Sequence, residues 1–239
     1  MFKKTKEMKE VQKIVQTGLL LSIALVVRTF SYMLYIGGAP AIRISFAGPF
    51  SRLPAILFGP LYGGITSGLL DILGFLLKPE GGYIPWFTLS AIAGGVIVAL
   101  VWQGIQGIRE QKLQKILLGV FIALGFAGLI NHIIGGSTYG LLWISLIGLI
   151  FLATDFYFSK KLTDKQVHNY FLKLVMSLGI GGIAVTTVNT YFLKLFIPAL
   201  SEKSFMVLWI PRLVEEIIIT LIQAYIMTIL LHIYQKIVK

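Results

Sequence analysis

Long apolar runs, separated by glycine, proline and clusters of charge, dominate this chain. An α-helix needs about 20 predominantly apolar residues to cross the hydrocarbon core of a bilayer, and several runs reach that length. The first covers residues 14–35, is interrupted at Arg28 and ends at Gly37-Gly38-Ala39-Pro40. The next, residues 42–77, is too long for one helix. Gly59-Pro60 divides it, because proline cannot continue the hydrogen-bond ladder, and a short helix near 47–58 is predicted before a longer one over 61–77. The polar turn Lys78-Pro79-Glu80-Gly81-Gly82 precedes a helix over 86–108, and no charge falls between Gly81 and Ile108. None falls between Ile116 and Thr154 either, which leaves room for two spans and a turn at Gly135-Gly136-Ser137. Helices over 170–196, ended by Pro198, and over 205–234 bring the expected set to about eight, one of them short.

Composition agrees with the pattern. Of 239 residues, 56% are hydrophobic and 13% charged, against about 25% charged in ordinary soluble domains, and the mean hydropathy is +0.85. There is too little polar surface for a cytosolic globular enzyme, a nucleic-acid-binding domain or a disordered chain. The expected class is an all-α membrane protein, one integral membrane domain over residues 1–239. The net charge of +11 then reads as basic cytoplasmic loops rather than a nucleic-acid surface. With both termini inside, most basic residues fall inside: Lys3, Lys4, Lys6, Lys9, Lys13, Arg109, Lys112, Lys115, Lys160, Lys161, Lys165, Lys173, Lys236 and Lys239. The N-terminal MFKKTKEMKEVQK has no small-residue cleavage site after its first apolar run and reads as a retained tail, not a cleaved signal peptide. The absence of cysteine removes disulfides, thiolate metal sites and a cysteine nucleophile. His132, His168 and His232 are far apart in sequence, so no metal or cofactor is expected. Walker A, HExxH and GxSxG motifs are missing, and nothing places a histidine near a serine in a supporting context.

Ionisable groups inside a span are costly, which makes each a functional candidate. Arg28, Arg52, Asp71, Asp155, Arg212, Glu215 and Glu216 lie in or near predicted spans; Asp155, at an inner helix end, reaches water. Asp71 is expected to pair with Arg28 or Arg52 as a tie between helices, or to serve as a ligand contact or gate. On the last helix, Arg212 lies three and four residues before Glu215 and Glu216, a spacing that puts all three on one face and allows mutual neutralisation. One arginine facing two acids leaves a carboxylate to spare, and a carboxylate in a dry pocket accepts two parallel hydrogen bonds from an amidine-like edge such as that of a pterin. Outer-loop candidates are Arg43, Tyr83, Trp86 and Phe87, with Asn189 and Tyr191 on the outer half of the 170–196 helix. Aromatics there are either interface anchors or the walls of a site for a flat heteroaromatic ligand. Small residues recur as well: Gly18 and Ser22 four apart, Gly59, Gly63, Gly64 and Gly68, Gly94-Gly95, and Gly179, Gly181 and Gly182. Such spacing lets helix backbones approach closely, within the chain or, at Gly18 and Ser22, against another membrane subunit.

LFGPLYGG at 57–64, LLDILG at 69–74, GGYIPWFTLSA at 81–91 and IPRLVEEIIITLIQ at 210–223 together resemble the substrate-binding S components of energy-coupling factor (ECF) vitamin transporters, and more narrowly the folate-type branch. The resemblance covers residues 14–108 and 172–236. It implies a six-helix core, a vitamin site opening outward, and a multi-pass protein of a bacterial-type cytoplasmic membrane that does no chemistry itself. It also implies a helix-1 surface, here Gly18 and Ser22 with Ala24 nearby, that contacts a T subunit joined to two cytoplasmic ATPases. The vitamin is delivered by toppling of the S component. Residues 109–168 have no counterpart in the six-helix pattern and are read as an inserted helical hairpin.

The roles implied are these. Glu215 or Glu216 accepts from the heteroaromatic edge, Tyr83, Trp86 and Phe87 pack on the ring, Arg43 and Arg212 answer an anionic tail, and Asn189 adds an amide contact. Asp71 with Arg28 or Arg52 is scaffold. The fold alone does not choose the ligand. A pantothenate, cobalamin or queuosine-precursor carrier, or a structural or regulatory membrane subunit, stands as the alternative.

Overall fold

A computed structural model describes residues 10–36, 39–79, 81–134, 140–161 and 165–238. The side chains at 36, 39–40, 154–161, 165–169, 235 and 237–238 are outside that description, Asp155 among them. The N-terminal tail, Gly37-Gly38 and the predicted turn at Gly135-Gly136-Ser137 also lie outside the described residues.

The elements in order are α1 (Glu10–Thr29), β1 (Tyr32–Ile36), β2 (Ala39–Ile44), α2 (Gly48–Phe58), α3 (Pro60–Leu77), α4 (Pro85–Ile105), α5 (Glu110–Ile133), α6 (Gly140–Lys161), α7 (Lys165–Phe196), α8 (Pro198–Ser201) and α9 (Phe205–Val238). Among the described residues, α1, α3, α4, α5, α7 and α9 contain stretches long and apolar enough to cross a bilayer. The chain is therefore an all-α membrane protein with a small β-hairpin added.

The hairpin departs from the expected helix over 14–35. Helix α1 stops at Thr29, and Tyr32 to Ile36 pair antiparallel with Ala39 to Ile44. The physical reason is local. Tyr32, Tyr35 and Ile36 favour a pleated surface, and Ile36 faces Ala39 across a two-residue Gly-Gly connection, which is a hairpin signal. Lys78, just past α3, donates to the Ser31 carbonyl at 2.6 Å and the Thr29 carbonyl at 3.4 Å, joining the ends of α1 and α3.

The predicted break at Gly59-Pro60 is a corner between α2 and α3. Gly59 has φ +97°, a left-handed conformation that side chains rarely adopt, and Pro60 opens α3 at a position where its missing N–H costs nothing. Helices α3 and α4 then meet backbone to backbone: a Cβ on Gly63 would strike the Gly95 carbonyl, and one on Gly95 the Gly63 carbonyl. Lipid tails are as apolar as leucine, so helices in a bilayer are held by such close packing rather than by the hydrophobic effect.

The main core joins α2 (Leu53, Ala55, Ile56), α4 (Val98, Ala99, Trp102), α7 (Leu174, Val175, Leu178) and α9 (Ala224, Met227, Leu231). Buried hydroxyls at Thr66, Ser177, Thr190 and Thr228 are satisfied by carbonyls one turn back, as helices in lipid require, whereas Thr17 Oγ1 of α1 is buried with no hydrogen-bond partner among the described residues. Helices α5 and α6 pack on each other, with α5 also touching α7 and α6 touching α9. At the end of α4, buried Lys173 of α7 donates to the Gln106 carbonyl at 2.7 Å.

Candidate functional site

A cavity of about 280 Å³ is lined by β2 and by helices α1, α2, α3, α4, α7 and α9; no described residue of α5 or α6 lines it. Its wall carries four arginines (Arg28, Arg43, Arg52, Arg212) and three acids (Asp71, Glu215, Glu216). These charges divide into two closed clusters and a remainder.

The first cluster joins α1, α3 and α4. The Arg28 guanidinium donates to the Leu70 carbonyl at 2.9 Å and to Asp71 Oδ1 at 3.4 Å, while Thr88 Oγ1 donates to Asp71 Oδ2 at 2.7 Å. Of the two partners expected for Asp71, Arg28 is the one it has. The second joins α2, α7 and α9. Arg52 donates to Gln223 Oε1 at 2.9 Å and lies 3.8 Å from Glu216 Oε1. Glu216 also accepts from Thr186 and Thr220, each at 3.3 Å. Charge pairing with several hydrogen bonds is what makes buried ions tolerable.

Glycine makes the room for both clusters. A Cβ on Gly74 would run into Arg28 Nε, one on Gly182 into Glu216 Oε1, and one on Gly48 into Gln223 Nε2.

The remainder is Glu215, Arg212 and Arg43. Glu215 faces the cavity half-buried and has no hydrogen bond or ion pair among the described residues. Arg212 does not close on either neighbouring acid, as its spacing suggested. It reaches across to the backbone of the hairpin and donates to the Ala41 carbonyl, and its Nε is buried with no hydrogen-bond partner among the described residues. Helical spacing places Arg212, Glu215 and Glu216 on one face, but the long guanidinium finds a carbonyl on β2 and Glu216 finds Arg52. Arg43 lines the cavity from β2, opposite Met33 in the hairpin. Asn189 lines it from α7, where its Oδ1 accepts from Ser90.

The aromatic candidates stand elsewhere. Tyr83, Trp86, Phe87 and Tyr191 are not among the cavity's lining residues. Trp86, Phe87 and Tyr191 gather round Phe192, at ring-centroid distances of 5.8, 6.4 and 6.2 Å. Tyr83 packs on Phe75 at 5.1 Å. Gly18 and Ser22 lie on the exposed face of α1; nothing comes within 4 Å of a Cβ built on Gly18, and the Ser22 hydroxyl is folded back onto the Gly18 carbonyl. Ala24, by contrast, is fully buried inward.

Several lining residues escaped the sequence reading: Ser45, Ser51, Ser67, Thr186 and Gln223. Neutral polar side chains cost little in a helix, so a search for expensive residues passes over them. Gln223 carried one usable signal, lying seven residues after Glu216 on the same face of α9.

Comparison with known proteins follows the same lines. The family described as "ECF transporter, substrate-specific component" matches residues 12–231. The chain is 36% identical over 83 residues to "Folate transporter FolT" of Clostridium novyi (strain NT). That stretch is 35% of this chain and 46% of the relative, so the chain spans about half the length of the curated relative it matches.

Proposed function

The chain belongs to the family of substrate-specific components of ECF transporters, multi-pass membrane proteins of transport, and from that premise we propose that its cavity binds folate or a reduced folate for import. The observation that carries the reading is the uncommitted Glu215 carboxylate facing a cavity whose arginines outnumber its acids. The 2-amino group and adjacent ring N–H of a pterin present two parallel donors to such a carboxylate. The glutamate tail presents carboxylates, and guanidinium forks suit carboxylates. Arg212 and Arg43 take that anionic end, and Asn189 adds an amide contact. Glu216, already engaged by Arg52, Thr186 and Thr220, is scaffold, so Glu215 takes the role that spacing alone left open between the two. The similarity to a folate transporter supports the choice of vitamin.

Transport needs energy that this chain has no motif to harvest. It comes from a T subunit and two cytoplasmic ATPases, with the exposed Gly18 and Ser22 face of α1 as the T-subunit contact and toppling as the delivery step. The basic residues at one side of the spans put both termini in the cytoplasm of a bacterial-type cell. Helices α5 and α6 are an addition to a six-helix core. Two facts support this: the helices that line the cavity are α1, α2, α3, α4, α7 and α9, with no described residue of α5 or α6, and the same matched stretch is a larger share of the relative than of this longer chain.

The test is native mass spectrometry of the detergent-purified chain, followed by titration with folate and 5-formyltetrahydrofolate. Co-purified folate or nanomolar binding is expected. A different bound molecule, or no affinity for either folate, overturns the ligand assignment.

A further inference from the structure

One exposed side chain is wired to the cavity without lining it. Tyr83 lies in the segment between α3 and α4, and its hydroxyl is 2.8 Å from Thr88 Oγ1. Thr88 has a single hydroxyl proton, and that proton is donated to Asp71 Oδ2 at 2.7 Å. A carboxylate has none to give back. The direction of the chain is therefore fixed: Tyr83 O–H donates to Thr88, Thr88 donates to Asp71, and Asp71 accepts from Arg28 through its other oxygen. Arg28 and Asp71 line the cavity; Thr88 is buried behind them, and Tyr83 is about half-exposed at the far end.

We infer that Tyr83 is a positioning residue: through Thr88 and Asp71 it sets where the Arg28 guanidinium points in the cavity. That the cavity takes an anionic ligand rests on the function proposed above; the wiring does not. Arg28 is steered from two sides. Its other donor holds the Leu70 carbonyl, and Gly74 leaves the space in which Nε lies. The Asp71 contact, at 3.4 Å against 2.9 Å for the Leu70 carbonyl, is the longer bond and the one that a change in the carboxylate's orientation alters first. Hydroxyl chains that end on a charge polarise one another and are coupled, so loss of either upstream hydroxyl is felt at Arg28. Arg52 is the internal control. It lines the same cavity and is bound in the other cluster, with no link to Tyr83.

The experiment labels the full-length, unliganded protein with phenylglyoxal, an arginine reagent, and follows the Arg28 and Arg52 adducts by peptide mass spectrometry. Tyr83→Phe and Thr88→Val each raise labelling of Arg28 several-fold and leave Arg52 at its wild-type rate. The double variant goes no further than either single one, as expected for links of one chain. Thr88→Ser, which keeps the hydroxyl, stays at the wild-type rate. Arg28 and Arg52 rising together would mean general loosening, and no change at Arg28 would mean no wiring; either result overturns the inference. Tyr83→Phe, a change at a half-exposed site, keeps the test open where Thr88→Val does not fold. Folate affinity is measured separately on the wild type, so failure of the ligand assignment leaves the labelling result readable.

Discussion

Helices α5 and α7 are both apolar enough to cross a bilayer, yet they sit in the molecule very differently. Half of the apolar stretch of α7 (50%) is buried, against 11% of that of α5. Around α7 the packing is mixed: Gly181 approaches the Gly94 carbonyl of α4, Gly182 leaves the space that Glu216 occupies, and hydroxyls satisfy Glu216 and Asn189. Around α5 it is almost wholly apolar, with Leu117, Phe121, Leu152 and Phe151 filling the contact with α7. A bilayer accepts either arrangement. The first is costly and is kept where charges must be held in place; the second is what a helix needs merely to stay in lipid.

The sharpest break in that comparison is a single proton's worth of charge at Glu215. Replacing a charge-assisted acceptor of two hydrogen bonds by a neutral amide removes about 1.5–3 kcal/mol of binding, so Glu215→Gln is expected to weaken folate binding about 10- to 100-fold. The melting temperature should stay near wild type, because that carboxylate makes no hydrogen bond or ion pair among the described residues. Glu216→Gln should do the reverse. It weakens the attraction for Arg52 and disturbs the hydrogen bonds from Thr186 and Thr220, so stability falls first and affinity by less. Equal effects of the two substitutions on affinity would refute the division of roles.

A pair of glycines makes the comparison between regions directly. Gly182→Ala puts a methyl group against Glu216 Oε1, whereas nothing lies within 4 Å of a Cβ on Gly119 of α5. Overpacking of this kind costs about 1–3 kcal/mol. Gly182→Ala should lower the melting temperature and weaken folate binding about tenfold by displacing the second cluster. Gly119→Ala should leave both unchanged or raise stability slightly through helix propensity. A neutral Gly182→Ala in thermal melting and titration would mean that Glu216 is not held where it is described.

These contrasts also mark what could be read from the residues alone. The corner at Gly59-Pro60, the helix over 61–77 and the two helices α5 and α6 follow from breaker residues and run length, signals that tertiary structure seldom overrides in a membrane. The cost of burying charge pointed to Arg28, Arg52, Asp71, Arg212, Glu215 and Glu216, all of which line the cavity. Pairing was less legible. Arg52 meets Gln223 across 171 positions, and Arg212 leaves its helical neighbours for a carbonyl of a β-hairpin hidden in an apolar run. Local spacing holds no information about a partner brought in by another helix. For the same reason the aromatics of 83–87 read as ring-stacking walls, although Trp86 and Phe87 pack on Phe192 and Tyr83 on Phe75.

The smallest effect is expected from the largest change. Helices α5 and α6 supply no described residue to the cavity wall, and α7 is tied to the end of α4 without them, because Lys173 donates to the carbonyl of Gln106. A flexible linker can then replace residues 110–161. The deletion removes Leu117, Phe121, Phe151 and Leu152 and leaves Leu172 and Met176 of α7 facing lipid. Acyl chains replace leucine at little cost in transfer free energy, so the loss is one of packing, and the melting temperature should fall. Folate affinity should change by no more than about threefold, the range of substitutions remote from a site. Titration of the shortened protein decides the matter: a folded, monodisperse deletion that no longer binds would make the pair a support of the cavity and end its reading as an addition to a six-helix core.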